Sequence, residues 1–247
     1  MPAEVASRGY EQVGIVIEGE GCYNCLVRDG CRGNGKAIRM KNREKAQEVA
    51  RQVARDTLRQ VDPVRTAYLS DTKYVPAGET GGFFEVNFWG EDYQVAYPEG
   101  SVRNLKSGEE AGFSVELLLL HYLIRADGTH LADRWVAFRE LPDALTYDPA
   151  FQGRTSVPLI RTYGHDRDGF VAAARALGGE HLSFGDASFM FALLPRVRMA
   201  IVLHLGDDEF PPAVTVLFDA ATGHYLPTED LAVLGGIVCG ALRKHGR

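Results

Sequence analysis

Three apolar runs near the C-terminus, Ser188–Leu194, Val197–Leu205 and Ala213–Phe218, constrain the fold of this chain most. Each is of strand length and partly β-branched. Turn formers separate them: Pro195-Arg196 after the first and Gly206–Pro212 after the second. Short apolar runs punctuated in this way predict a three-stranded antiparallel meander. Thr228 then caps a final helix to about Lys244, with Glu229 and Asp230 in the first turn, where the helix dipole favours negative charge.

The same logic, run upstream, predicts a helix from about Lys41 to Gln60. That stretch lacks Gly and Pro and stops before Asp62-Pro63. Val49, Ala50, Val53, Ala54 and Thr57 form its expected buried stripe, and Arg51, Arg55 and Arg59 share another face at i, i+4 and i+8. Phe83–Trp89 and Tyr93–Tyr97 alternate apolar and polar residues around Gly90-Glu91-Asp92, the signature of a hairpin. Ser114 reads as the N-cap of a helix through Arg125 that buries Leu117–Leu120 and ends at Asp127-Gly128. Arg134–Leu141 reads as a strand closed by Pro142, and a less regular stretch extends from there to Pro158. Helices near 157–164 and 167–177 come next, the second ended by Gly178-Gly179. Strands and helices do not alternate in repeated units. The expected class is therefore α+β: an antiparallel sheet with packed helices, and a C-terminal three-stranded meander followed by a final helix. A Cys-rich segment over residues 1–40 precedes a single α+β domain over 41–247.

A length of 247 residues with 45% hydrophobic content suits one sizeable core. The net charge of −6 argues against general nucleic-acid binding, but the charge is uneven. Residues 28–65 hold eleven Lys/Arg against five Asp/Glu, a local +6, which leaves −12 for the remainder. The expectation is a basic N-terminal surface that meets an acidic protein partner or redox protein through Arg51, Arg55 and Arg59, or that docks on the protein's own acidic body. A solvated basic face is the plainer reading of the three arginines. The most apolar runs, Val115–Ala126 and Leu231–Leu242, are too short to span a bilayer, and the start MPAEVASRGYEQ has no apolar signal core. The expected localisation is cytoplasmic, with no membrane contact.

The densest chemistry lies in EGCYNCLVRDGCRGNGKAIRMK, where Cys22, Cys25 and Cys31 crowd into ten residues. A C-x-x-C pair lets two thiolates grip one ion, and thiolate clusters in a reducing compartment favour metal or redox use. Zinc and an iron–sulfur cluster are both open. The spacing C-x2-C-x5-C comes near a C-x2-C-x4-C-x16-C arrangement of some four-iron modules, in which the last cysteine would fall near Glu48. A fourth ligand would have to be Cys239, His245, another histidine or a group from a partner. Cys239, set among small apolar residues, reads as a buried inert thiol.

A second candidate is the acidic turn VLHLGDDEFPP. His204, Asp207, Asp208 and Glu209, with Asp219 at the end of the paired strand and His224 after it, offer imidazole and carboxylates to a hard divalent ion, as a metal-dependent enzyme would need. Short polar residues also populate ordinary turns. Arg139 and Glu140 would point to opposite faces of an extended Arg134–Leu141, so one is expected to be buried and paired, or Arg139 to face a ligand. His121, in an apolar helix, and His204, on an apolar strand, are candidate axial ligands to a tetrapyrrole metal, although a satisfied core histidine is the simpler reading. No complete set of nucleophile, base and acid is visible, so whether the chain is an enzyme stays open.

At LLHYLIRADG, WVAFRELP, ALGG, FGDASFMFALLP, GDDEFPPAVTVLFD and YLPTEDL the chain resembles the domain-of-unknown-function family DUF3786, over about residues 45–242. That family occurs largely in anaerobic bacteria and archaea, and some members carry or neighbour an iron–sulfur module of the corrinoid-protein type. The resemblance implies a redox or one-carbon setting with possible corrinoid contact. It implies no catalytic residues. The resulting expectation is a cofactor-associated binding protein with a metal centre at Cys22, Cys25 and Cys31.

Overall fold

A computed structural model describes residues 34–246, with side chains from residue 44 onward. Helix α1 runs over Asn34–Leu58, earlier at both ends than the composition suggested. Asp62 then caps α2 (Pro63–Ser70): its Oδ1 accepts the Arg65 N–H at 2.9 Å, and Pro63 starts the first turn, where no N–H is needed. The first sheet is an antiparallel meander of β1 (Lys73–Ala77), β2 (Gly81–Phe88), β3 (Glu91–Tyr97) and β4 (Val102–Asn104), in that order. Phe84, Val86, Phe88, Tyr93 and Val95 are its buried positions, as the alternation requires.

The β2–β3 turn is Trp89-Gly90, one residue earlier than the expected Gly90-Glu91-Asp92. Both residues have positive φ, 50° and 81°, the backbone that matches a two-residue hairpin to strand twist. Trp89 takes this conformation while bonding outward. Its N–H donates to the Leu193 carbonyl at 2.8 Å and its indole Nε1 donates to the Leu177 carbonyl at 3.2 Å. The hairpin tip therefore ties the first sheet to the second.

Helix α3 (Phe113–Arg125) buries Leu118, Leu119, Leu120, Tyr122 and Leu123. Its N-cap is Gly112 rather than Ser114, and no side chain caps it. The expected strand Arg134–Leu141 is only β5 (Trp135–Ala137), because the chain coils into a 3₁₀ turn at Phe138–Glu140. That turn overturns the expectation for Arg139 and Glu140. Both are exposed, and Glu140 Oε2 accepts the Ala137 N–H at 2.7 Å. The irregular stretch contains α4 (Asp148–Arg154). Next come α5 (Ser156–Tyr163), α6 (Arg167–Ala176), β6 (Glu180–Leu182), β7 (Ala187–Leu194), β8 (Val197–His204), β9 (Ala213–Asp219) and α7 (Thr228–His245).

The second sheet has the order β5-β9-β8-β7-β6, and every neighbouring pair is antiparallel. The fold is thus α+β, with a C-terminal meander followed by a final helix. Helices α5 and α6 cover one face of this sheet, and α7 lies against α4, α5 and α6. The Phe138 and Phe151 rings stack with centroids 4.0 Å apart, and both tilt onto Phe218. Gly235 of α7 makes room for that stack, since a Cβ there would stand 2.6 Å from Phe151 Cε2.

Helix α1 packs on α3 with an unexpected face. Val49 and Val53 are each 52% exposed, and Thr57 is also exposed. Ala54 is buried as expected and Ala50 half-buried, but Leu58 completes the buried face, flanked by Arg51 and Arg55. Arg51 Nε donates to Glu116 Oε2 at 2.7 Å, and an Arg55 terminal NH2 group donates to Glu116 Oε1 at 2.8 Å. The Arg51 guanidinium also lies over the Phe113 ring, 5.1 Å from its centroid. Gly100, at φ +74°, admits the Arg55 stem, as a Cβ there would lie 2.7 Å from Arg55 Cγ. Of the readings of the basic helix, docking on the protein's own body describes Arg51 and Arg55, while Arg59 pairs with Asp56 on the surface. Glu116→Ala is expected to lower unfolding stability by roughly 1–2 kcal/mol, because both arginines keep partial access to water. Glu48→Ala, which removes only an exposed pair to Arg51, should change it by less than about 0.5 kcal/mol in the same urea titration.

Candidate functional site

Cys22, Cys25 and Cys31 lie outside the described residues; α1 begins at Asn34, shortly after the last of them. Cys239 is fully buried in α7, and that burial pushes its thiol far up, so it sits in the core as an un-ionised group. It offers no thiolate as a fourth ligand in this position.

The acidic turn is held by its own backbone. Asp207 Oδ1 accepts the N–H groups of Phe210 at 2.6 Å and Glu209 at 2.9 Å, and these two bonds hold its carboxyl below the usual aspartate range. Asp208 and Glu209 are exposed. Asp219 does not join them. His204 pairs with Ala213 at one end of β9, whereas Asp219 lies at the other end, opposite Trp135. Six residues of extended strand separate the two by about 20 Å. Asp219 is buried, and its Oδ1 accepts the Ala132 and Ala221 N–H groups, each at 2.9 Å. It fastens the loop before β5 to the end of β9. The proposed set of His204, Asp207, Glu209 and Asp219 is therefore not assembled. Among the described residues, no three or more His, Cys, Asp or Glu side chains are arranged to hold a metal ion.

His204 instead borders an open apolar groove of about 270 Å³ on the solvent side of the second sheet, with Trp135, Phe184, Val202, Thr215 and Leu217. Gly185, at φ +54°, lies against it, where a Cβ would come within 3.0 Å of His204 Cε1. Arg139 is not part of this groove; it sits exposed on the 3₁₀ turn.

His121 is better organised than its apolar helix implied. It is half-buried on α3, and its Nδ1 lies 2.6 Å from Asp230 Oδ2. Asp230 stands in the first turn of α7, where helix N–H groups favour a carboxylate. An ionised carboxylate only accepts, so a proton on Nδ1 makes this bond and Nε2 is left without a hydrogen-bond partner among the described residues.

A second pair of the same kind joins the residues just past the end of α3 to the Thr222–His224 turn. His224 Nδ1 is 2.7 Å from Asp127 Oδ2 and 3.3 Å from the Thr129 hydroxyl. Arg125 bridges the pairs: it is one turn after His121 on α3, and its guanidinium reaches the carbonyl of Gly223 at 3.5 Å. Tyr225 fixes the loop below by donating its hydroxyl proton to the Thr129 carbonyl. Sequence reading singled out His121 but missed its partner, because 109 residues separate it from Asp230. LIRADG and YLPTEDL carry Arg125, Asp127 and Asp230, but neither string by itself says that they meet.

Partial burial pushes the Asp127 carboxyl up, yet the Thr129 hydroxyl and N–H and the His224 imidazole together hold it below the usual aspartate range. A carboxyl with a lower pKa in the folded than in the unfolded chain stabilises the fold above its unfolded value of about 3.9, and that contribution is lost as pH falls through the folded midpoint. A carboxyl ¹³C NMR titration should place the Asp127 midpoint below about 3.9, and Thr129→Val should move it upward.

Comparison with curated proteins and with solved structures finds no match. A family model described as a domain of unknown function, DUF3786, matches residues 62–241. The match takes in both sheets, α2 to α6 and most of α7; α1 and the cysteine run precede it. Both histidine–aspartate pairs fall inside the matched stretch. The chain belongs to the DUF3786 family.

Proposed function

We propose that this protein is a cytoplasmic, cofactor-associated binding protein in which Cys22, Cys25 and Cys31 hold an iron–sulfur or zinc centre that serves redox or corrinoid-linked one-carbon metabolism. The observation that carries this reading is the C-x2-C-x5-C run, three potential thiolates in ten residues. Such a donor set suits either zinc or an iron–sulfur cluster and leaves one coordination position for another group. A centre of this kind would supply electron transfer or a structural clamp, according to the metal. The chain's own contribution is a firm anchor on the C-terminal side of the cysteines: α1 is held to α3 through Arg51, Arg55 and Glu116. No helix among the described residues is long and apolar enough to cross a membrane.

The groove beside His204 is smaller than the roughly 300–1,000 Å³ of an ordinary small-molecule pocket, and it does not enclose a tetrapyrrole. A corrinoid would therefore meet His204 or His121 only across an open surface.

The test is anaerobic purification followed by metal analysis and absorption spectroscopy, with the Cys22→Ser/Cys25→Ser/Cys31→Ser triple variant alongside. Stoichiometric metal in the native chain, with charge-transfer bands if the metal is iron, should vanish in the triple variant. Native protein that stays metal-free after reconstitution with iron and sulfide and with zinc, or a variant that retains the same metal, overturns the proposal.

A further inference from the structure

We propose a second site, independent of the cysteine run, where the last turn of α3, the Thr222–His224 turn and the first turn of α7 meet. This surface binds a small molecule through an oxyanion, a phosphate or carboxylate group, held by Arg125 and by the unpartnered Nε2 atoms of His121 and His224.

The geometry of the two imidazoles carries the inference. Each is fixed through Nδ1 by an aspartate, His121 by Asp230 at 2.6 Å and His224 by Asp127 at 2.7 Å. Fixing one ring nitrogen orients the other, the second-sphere arrangement by which proteins aim an imidazole at a ligand or a proton. Neither Nε2 has a hydrogen-bond partner among the described residues. Both rings are partly open to solvent, with side chains 31% and 50% exposed.

Arg125 supplies the charge. It lies one helical turn from His121 on α3 and its guanidinium donates to the carbonyl of Gly223, the residue before His224, which ties it to the segments that carry both rings. It forms no ion pair with a carboxylate among the described residues, while Asp127 and Asp230 are each taken up by an imidazole. A planar guanidinium is suited to two oxygens of one oxyanion. A neutral Nε2 accepts from the O–H of a protonated oxyanion, and an imidazolium Nε2 donates to an ionised one, so the two rings serve either form. Asp127 and Asp230 oppose an anion at longer range; Arg125 and one imidazolium only balance them, and the positive groups outnumber them when both imidazoles are protonated. Binding is therefore expected to be modest for a bare ion and tighter for a molecule with further contacts.

The measurement is a histidine side-chain ¹H–¹⁵N NMR titration of the full chain with inorganic phosphate and, separately, acetate, at constant ionic strength. Saturable shifts at the Nε2 signals of both His121 and His224 are expected with at least one anion, and the anion that saturates at lower concentration identifies the oxyanion. Arg125→Gln should weaken that binding at least ten-fold. The exposed position of Arg125 and its long bond to Gly223 make loss of folding unexpected. If that variant is unstable, His224→Asn serves instead, and it should abolish saturation at His121 as well. Shifts that do not saturate with either anion, or that are unchanged in the variant, overturn the proposal whatever the cysteine run binds.

Discussion

One face of the five-stranded sheet must be buried, and the rest of the domain is arranged around that requirement. Strand register places Phe189, Ile201 and Val216 in one cross-strand row and Phe191, Met199 and Phe218 in the next. All six are nearly or completely buried. A slip by one residue would turn every one of them to solvent, at about 1.5–3 kcal/mol for each large side chain, so the register is strongly specified. Phe170 of α6 closes edge-to-face on Phe189, and Phe151 of α4 tilts onto Phe218. The same register decides what can meet at the sheet's ends. It sends His204 to one end of the β8–β9 pair and Asp219 to the other, and so dissolves a metal site that looks compact in the sequence.

The docking of α1 shows which of two effects wins. Turning Val49 and Val53 outward forfeits roughly 1 kcal/mol each in unburied apolar surface. Glu116, only 5% exposed, would cost several kcal/mol if it were buried without a partner. Facing Arg51 and Arg55 inward satisfies both carboxylate oxygens, while Ala54 and Leu58 still bury. Periodicity alone ranks valines above arginines for the core. It contains no information about a carboxylate on another helix, and here that carboxylate determines the rotation.

Much of the architecture was legible because it is local. The meander, the α3 leucines, the final helix and the hairpin each rest on patterns within about ten residues. Trp89 entered a left-handed turn that its side chain alone would disfavour, since one bond to β7 of the second sheet and one to Leu177 at the end of α6 reward it. Within Arg134–Leu141 only Trp135–Ala137 is a strand, and Phe138–Glu140 turns into a 3₁₀ coil closed by Glu140 bonding the Ala137 N–H, an interaction that an alternating pattern does not reveal. The candidate site was less legible. His121 was noticed as an oddity in an apolar helix, but its role depends on Asp230, and the second pair was not anticipated at all.

By itself, the sequence determined the α+β class, the order of the main elements, the family, and the presence of three clustered thiols before a basic helix. These arise from hydrophobic period, turn chemistry and residue spacing, which act over short stretches of chain. Only the tertiary structure decided which face of α1 docks, that Asp219 is a structural fastener remote from His204, and that Asp230 and Asp127 hold His121 and His224 while Arg125 reaches the carbonyl of Gly223. Each of those outcomes depends on groups some sixty to a hundred residues apart in the chain. Hydrogen bonding and charge burial select among rotations and registers that local pattern leaves equivalent.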